Sequence, residues 1–226
     1  MDKAPEIARL HYITQDIPGR SHASLARQAC EGGACWVQLR IKNKTVAAWK
    51  KEALETQEIC QQYKAVFIIN DNVELAAELG ADGVHLGKTD TAPEAARQML
   101  GPLAIIGATA NSWNDVQQIL TGPADYIGLG PFRFTATKEN LSPVLGIEGY
   151  DFILQKTGAL RIPVIAIGGI LTEDLPALFK TGIHGIAVAS AISLSPDPAA
   201  AVALFMQTLT AMEKETPSII LNPSRP

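Results

Sequence analysis

Clusters of basic residues are missing from this chain. Its 19 Lys and Arg are scattered among 23 Asp and Glu, for a formal net charge of −4 at pH 7. Nucleic acid and anionic membrane surfaces are therefore poor partners. No apolar run reaches the roughly 18 residues of a membrane span, and the opening residues Met1 to Glu6 lack the apolar stretch of a signal peptide. Cysteine is scarce. Cys30, Cys35 and Cys60 are an odd number without a metal-type Cys-x-x-Cys pair; they read as small apolar residues in a reducing compartment, and the expected location is cytoplasmic. No Gly-x-Gly-x-x-Gly follows the first strand-like run, which removes the signature of a dinucleotide-binding open sheet.

What is present is a rhythm. Apolar residues make up 47% of the 226 residues, enough to fill a sizeable core. Short apolar runs recur at 10–14, 36–40, 65–70, 83–86, 104–108, 126–130, 164–168 and 185–190. Continuous stretches such as Val66-Phe67-Ile68-Ile69 suit strands buried on both faces. Helical patterns lie between them, with Pro93 at a first-turn position, Ser112 as a cap and Gly182 as a stop. Eight evenly spaced strand–helix units predict an α/β protein, a single (β/α)8 TIM barrel over residues 1–212, with 213–226 as a C-terminal tail.

In such a barrel function sits at the C-terminal ends of the strands. In Gln38-Leu39-Arg40-Ile41-Lys42, alternation sends Leu39 and Ile41 toward the helices and Gln38, Arg40 and Lys42 toward the barrel axis or mouth. Two cations there call for an anion. The third run ends in Asn70-Asp71 and the fourth is followed by Gly87-Lys88-Thr89-Asp90. Taken singly, Asp71 could equally cap the next helix and Asp90 could equally shape a turn. Together, beside a cationic strand, they favour a shared hard cation such as Mg2+. His85 reads as a packed histidine rather than a ligand.

The sixth run leads into a connection over 131–147, far longer than usual, carrying Thr135-Ala136-Thr137-Lys138: two hydroxyls and an ammonium suited to an oxyanion. Gly168-Gly169 after the seventh run and Ala189-Ser190 after the eighth suit a smaller phosphate site. Two anion sites at one mouth imply either two phosphorylated substrates or one bis-phosphorylated substrate.

These motifs, together with Ala81-Asp82-Gly83-Val84-His85-Leu86 and Ala124-Asp125-Tyr126-Ile127-Gly128, resemble the thiamine-phosphate synthase (thiamine-phosphate pyrophosphorylase) family in order over roughly residues 10–205. The resemblance implies an enzyme of thiamine biosynthesis, a transferase joining hydroxymethylpyrimidine diphosphate to a thiazole phosphate with release of diphosphate. Arg40, Lys42, Asn70 and Lys138 would hold the diphosphate, with Arg40, Lys42 and Lys138 catalytic. Asp71 and Asp90 would ligate Mg2+. Gln38 and Thr109 would line the pyrimidine pocket, Thr135 and Thr137 would meet the thiazole, and Gly169, Ala189 and Ser190 would take its phosphate. Expected partners are two phosphorylated small molecules, with a homo-oligomer allowed and neither nucleic acid nor membrane. The implied route is dissociative, and no His–carboxylate pair is expected to serve as a base.

The chain departs from the family pattern at three positions: Thr109 where Ser is usual, Asn111 where His is frequent, and Lys88 where Gln is common, the last adding a charge near the metal pair. A thiazole tautomerase-like relative and a non-catalytic thiazole-phosphate sensor are the competing readings. Tautomerase-like relatives tend to lose the metal and diphosphate residues that are present here, and a sensor would have no use for Asp71 and Asp90. A sugar-phosphate isomerase barrel would want a carboxylate base and one phosphate site.

Overall fold

The protein is described by a computed structural model over residues 6–42, 45–134, 143–157 and 162–215. Eight parallel strands close into a barrel in sequence order: β1 (Leu10–Ile13), β2 (Trp36–Leu39), β3 (Val66–Asn70), β4 (Gly83–Leu86), β5 (Ile105–Ala110), β6 (Tyr126–Leu129), β7 (Val164–Ile167) and β8 (Gly185–Val188). β8 returns to β1 with Leu10 opposite Ile186. The expected (β/α)8 architecture is present, and β5 runs two residues further than the sequence indicated because Thr109 and Ala110 still pair with Gly128 and Leu129.

The connecting helices are α1 (His22–Glu31), α2 (Val46–Tyr63), α3 (Val73–Leu79), α4 (Pro93–Leu100), α5 (Trp113–Leu120), α6 (Gly146–Thr157), α7 (Leu175–Lys180), α8 (Ser190–Ser193) and α9 (Pro198–Glu215). Their starts follow local chemistry: the side chains of Ser21, Thr45, Asn72 and Ser112 each accept from a backbone N–H in the first turn. Thr172–Asp174 forms a 3-10 turn ahead of α7. α9 continues through position 213, where the tail was expected to begin, with Val202, Phe205 and Leu209 seated in the core.

Two apolar layers result from strand alternation. Outward residues such as Val37, Leu39, Phe67, Ile69, Val84 and Ile127 pack against the helices. Inward residues Ile13, Trp36, Ile68, Ile105, Tyr126, Ile165 and Ala187 fill the barrel. Trp36 stacks on His11 with ring centroids 4.1 Å apart, and Tyr126 meets both edge-on. Glycines at inward positions make room: a Cβ on Gly107 would lie 2.2 Å from Tyr126, and one on Gly128 would lie 2.7 Å from His85. Asp82 and Asp125, preceding β4 and β6, accept from the backbone N–H of Phe67 and Ile106, so these two motif carboxylates serve the opposite, structural face of the barrel. Cys30 and Cys60 are buried as expected, whereas Cys35, just ahead of β2, is exposed. No described helix is long and apolar enough to cross a membrane.

Candidate active site

The mouth is assembled from the ends of β1 to β5. Gln38 points inward as alternation predicts, 3% exposed, and its Nε2 donates to Asn70 Oδ1 at 2.7 Å. That bond orients both amides, leaving Gln38 Oε1 as an acceptor and Asn70 Nδ2 as a donor. Arg40 and Lys42 lie just beyond β2. Burial pulls the Arg40 guanidinium pKa downward while Asp71 and Asp16 push it back; an arginine stays charged through such a shift, so Arg40 is a desolvated cation beside two carboxylates. Lys42 Nζ donates to Asp71 Oδ2 at 2.7 Å.

Asp71 does not cap α3; Asn72 does, its Oδ1 accepting from Leu75 N at 2.8 Å. Asp71 itself adopts φ +67°, an uncommon conformation that Asp tolerates better than most residues, and its N–H donates to His85 O at 2.9 Å. Its carboxylate is thereby free to meet Lys42 and Asp90. Asp90 is both a turn former, accepting from Gly87 N through Oδ2 at 2.6 Å, and a neighbour of Asp71. Burial and the hydrogen bond with Asp71 raise the Asp90 pKa; for Asp71 burial also pushes upward, but the bonds with Asp90 and Lys42 outweigh it and hold the group below the usual carboxylate range. The Asp71 contact makes the charged form of Asp90 harder to reach, as expected for two neighbouring carboxyl groups.

Three polar residues at the end of β1 and the start of α1 escaped the sequence reading. Thr14 Oγ1 accepts from Arg40 N at 3.1 Å, and Asp16 Oδ2 accepts from Lys42 N at 3.0 Å. Buried His22 joins the two, with Nδ1 2.7 Å from Thr14 Oγ1 and Nε2 3.2 Å from Asp16 Oδ1. His22 and Asp16 therefore form a His–carboxylate pair that the spacing did not reveal, made between the loop after β1 and the first turn of α1. Its partners are the backbone of the cationic segment, so it fixes where Arg40 and Lys42 stand. The run Thr14-Gln15-Asp16, polar directly after an apolar strand, was the available signal.

The three departures from the family pattern lie on the β4–β5 side. His85 binds Thr109 Oγ1 through Nε2 at 3.0 Å and Tyr126 Oη through Nδ1 at 2.9 Å, so it is a packed, fully engaged histidine. Lys88 Nζ pairs with Asp115 Oδ1 at 2.9 Å, and Asn111 N donates to the other oxygen of that carboxylate at 2.9 Å. Asn111 Nδ2 reaches Gly130 O at the end of β6.

On the far side of the same rim, β7 and β8 are paired neighbours, which brings Gly168-Gly169 beside Ala189-Ser190. Gly168 and Gly169 both have positive φ, +105° and +67°, and a Cβ on Gly169 would strike Arg133 at 2.5 Å. Arg133 is itself tied to Asp174 Oδ1 at 2.5 Å and covers the Phe132 ring. Ser190 Oγ donates to Gln15 Oε1 at 3.0 Å, linking this rim to β1. Thr135, Thr137 and Lys138 lie outside the described residues. A separate surface cavity of about 550 Å3, lined by Arg9, Val164 and His184 among others, opens at the other end of the barrel.

A parallel barrel with cations, paired carboxyl groups and a double-glycine turn on one rim defines a class: barrel enzymes that handle phosphorylated small molecules. The sequence makes the class particular. Residues 10–192 match the thiamine monophosphate synthase family model. The chain is 50% identical to the thiamine-phosphate synthase of Bacteroides fragilis over 191 residues, 84% of this chain and 94% of that one. It is 38% identical to that of Salinibacter ruber over 217 residues, 94% and 93% of the two chains. Among solved structures it is similar to thiamine phosphate pyrophosphorylase from Pyrococcus furiosus, with a TM-score of 0.79, 32% identity, and 90% and 96% of the two chains covered. The chain belongs to the thiamine monophosphate synthase family.

Proposed function

We propose that this chain condenses hydroxymethylpyrimidine diphosphate with a thiazole phosphate, plain or carboxylated, to give thiamine phosphate and diphosphate by a dissociative route, the carboxylated form also losing its carboxyl group as CO2. The synthase activity, transfer of a pyrimidinylmethyl group, follows from family membership. The observation that carries the route is the contact chain Lys42–Asp71–Asp90, next to Gln38–Asn70 and Arg40 on a single rim.

The bond between the methylene carbon and the diphosphate oxygen breaks and its electron pair leaves with the diphosphate. The thiazole nitrogen then donates its lone pair to the methylene cation, forming the new C–N bond. Arg40, Lys42 and Lys138 neutralise the growing negative charge of the leaving group, and Asn70 donates to it through its amide. Asp71 and Asp90 would hold Mg2+, which when bound supplies further charge neutralisation at the diphosphate oxygens. Two carboxylates suffice, because Mg2+ keeps waters and takes substrate oxygens; among the described residues no group of three or more His, Cys, Asp or Glu forms a complete protein cage. Gln38 and Thr109 orient the pyrimidine. Thr135 and Thr137 would contact the thiazole, whose phosphate would rest on Gly169, Ala189 and Ser190. No residue must abstract a proton. A reducing compartment such as the cytoplasm suits the free thiols of Cys30, Cys35 and Cys60.

The test is turnover with both substrates and Mg2+. Diphosphate release is expected to need both substrates and to stop on adding EDTA. Isomerisation of a thiazole phosphate without diphosphate release, or release that persists in EDTA, overturns the reading.

A further inference from the structure

We propose that Tyr126 and His85 are positioning residues that fix the direction of the Thr109 hydroxyl, making it a hydrogen-bond donor toward the pyrimidine. This rests on the reading of Thr109 as part of the pyrimidine pocket and specifies its chemistry.

The hydrogen-bond chain begins deep in the barrel. Tyr126 is 1% exposed, and burial raises its phenol pKa far above the ordinary value, so the proton stays on. Among the described residues the single hydrogen-bond partner of Tyr126 Oη is His85 Nδ1, at 2.9 Å. A buried hydroxyl proton without an acceptor is unfavourable, so Tyr126 donates and Nδ1 accepts. A ring whose Nδ1 accepts carries its proton on Nε2. His85 Nε2–H therefore donates to Thr109 Oγ1 at 3.0 Å. The oxygen of Thr109 is filled from below, and its own proton turns away from His85.

Thr109 is half-buried at the mouth end of β5, level with Gly128 on β6, where no side chain intervenes. The Tyr126 ring also stacks on His85, with centroids 5.4 Å apart, and the missing Cβ atoms of Gly107 and Gly128 leave the imidazole its place. The donor-to-acceptor chain Tyr126 to His85 to Thr109 links β6 to β4 and returns to β5 between them, and it ends as a donor. A donor at that point recognises a pyrimidine ring nitrogen. A hydroxyl of undetermined polarity would not discriminate a ring nitrogen from an amino group.

The experiment reads the tautomer directly. Histidine labelled with 15N on both ring nitrogens is incorporated into the whole chain, and two-bond 1H–15N correlations are recorded at neutral pH. The four histidines are assigned by single His→Asn variants. His85 is expected as the Nε2–H form, and Tyr126→Phe is expected to yield a mixture of tautomers. An Nδ1–H or doubly protonated His85 in the unmodified protein overturns the proposal regardless of activity. In turnover, Tyr126→Phe and Thr109→Ala are each expected to raise KM for the pyrimidine substrate about tenfold, the size of one lost hydrogen bond. KM for the thiazole phosphate should not move, and the double variant should lose no more than either single one. Additive losses, or a rise in both KM values, would assign Tyr126 to packing alone. Absence of turnover by the unmodified protein would remove the pyrimidine reading while leaving the tautomer result intact.

Discussion

Lys88 Nζ lies 2.9 Å from Asp115 Oδ1, and that distance settles where an unusual charge goes. The sequence suggested a cation added beside the metal pair. Instead the ammonium is committed to the first turn of α5, where the same carboxylate also holds Asn111 N. Two departures from the family pattern thus meet at one acid. They bind the end of β4 to the loop after β5.

Asp115 titrates accordingly. Burial pushes its pKa up, but hydrogen bonds from Lys88, Asn111 and Ser112 outweigh this and hold it below the usual carboxylate value. A lowered folded pKa gives stability that is present above the unfolded value, about 3.9, and is lost as pH falls through the lower folded one. Asp115→Asn should therefore cost about 1 kcal/mol at pH 7. The gap from the unmodified protein should close below about pH 4. Urea unfolding at the two pH values measures this; an equal gap at both would show that the charge of Asp115 contributes nothing.

Asp71→Asn should reduce diphosphate release by about 10²-fold or more, the scale of one lost electrostatic contact in a transition state, and should raise the Mg2+ concentration needed for half-maximal rate. Stability should change little. The Lys42–Asp71 pair is partly exposed and contributes about 0–1 kcal/mol. Magnesium titrations of rate, read beside thermal melts, separate the two effects. Unchanged metal dependence would take Asp71 out of the metal site.

Lys138→Ala should slow turnover by about 10²-fold with the fold intact. The Thr-x-Thr-Lys pattern over 135–138 supplies an ammonium suited to the departing diphosphate. Single-turnover rates at saturating substrate are the measurement. A rate near that of the unmodified protein would make this lysine an ordinary solvated side chain.

Thr14→Val keeps the shape of a fully buried side chain but leaves Arg40 N and His22 Nδ1 each short of a partner. A loss of about 1–3 kcal/mol in stability is expected. KM for the pyrimidine diphosphate should rise several-fold as the cationic segment loses its anchor, with KM for the thiazole phosphate unchanged. Equal changes in both KM values would place the effect in the barrel as a whole.

Much of this was legible from period alone. Alternation in Trp36-Val37-Gln38-Leu39-Arg40-Ile41 separated inward from outward side chains because a strand has only two faces, and the outward set is the one packed on helices. The recurrence of apolar runs announced the barrel. Asp71 and Asp90 could be suspected because both follow strand ends, although their contact depends on register between β3 and β4 and on the positive φ of Asp71. What stayed hidden were partnerships made by loop paths. Nothing in the spacing of Asp16, His22 and Lys42 says that they meet, nor that Lys88 would choose Asp115 over the acids nearer in sequence. His85 is packed, as the sequence implies, but its ring bonds to Thr109 and Tyr126, 24 and 41 residues away, are not visible in the spacing.

The glycines at inward positions of β5 and β6 mean that those strands do not furnish their own share of the interior there. Tyr126 leans across Gly107, and His85 across Gly107 and Gly128. The space above one strand is therefore owned by its neighbour. A methyl group added at Gly107 would strike the Tyr126 ring at 2.2 Å and the His85 ring at 2.5 Å, and one at Gly128 would strike His85 at 2.7 Å, so that flank of the rim is shaped by residues that have no side chain at all.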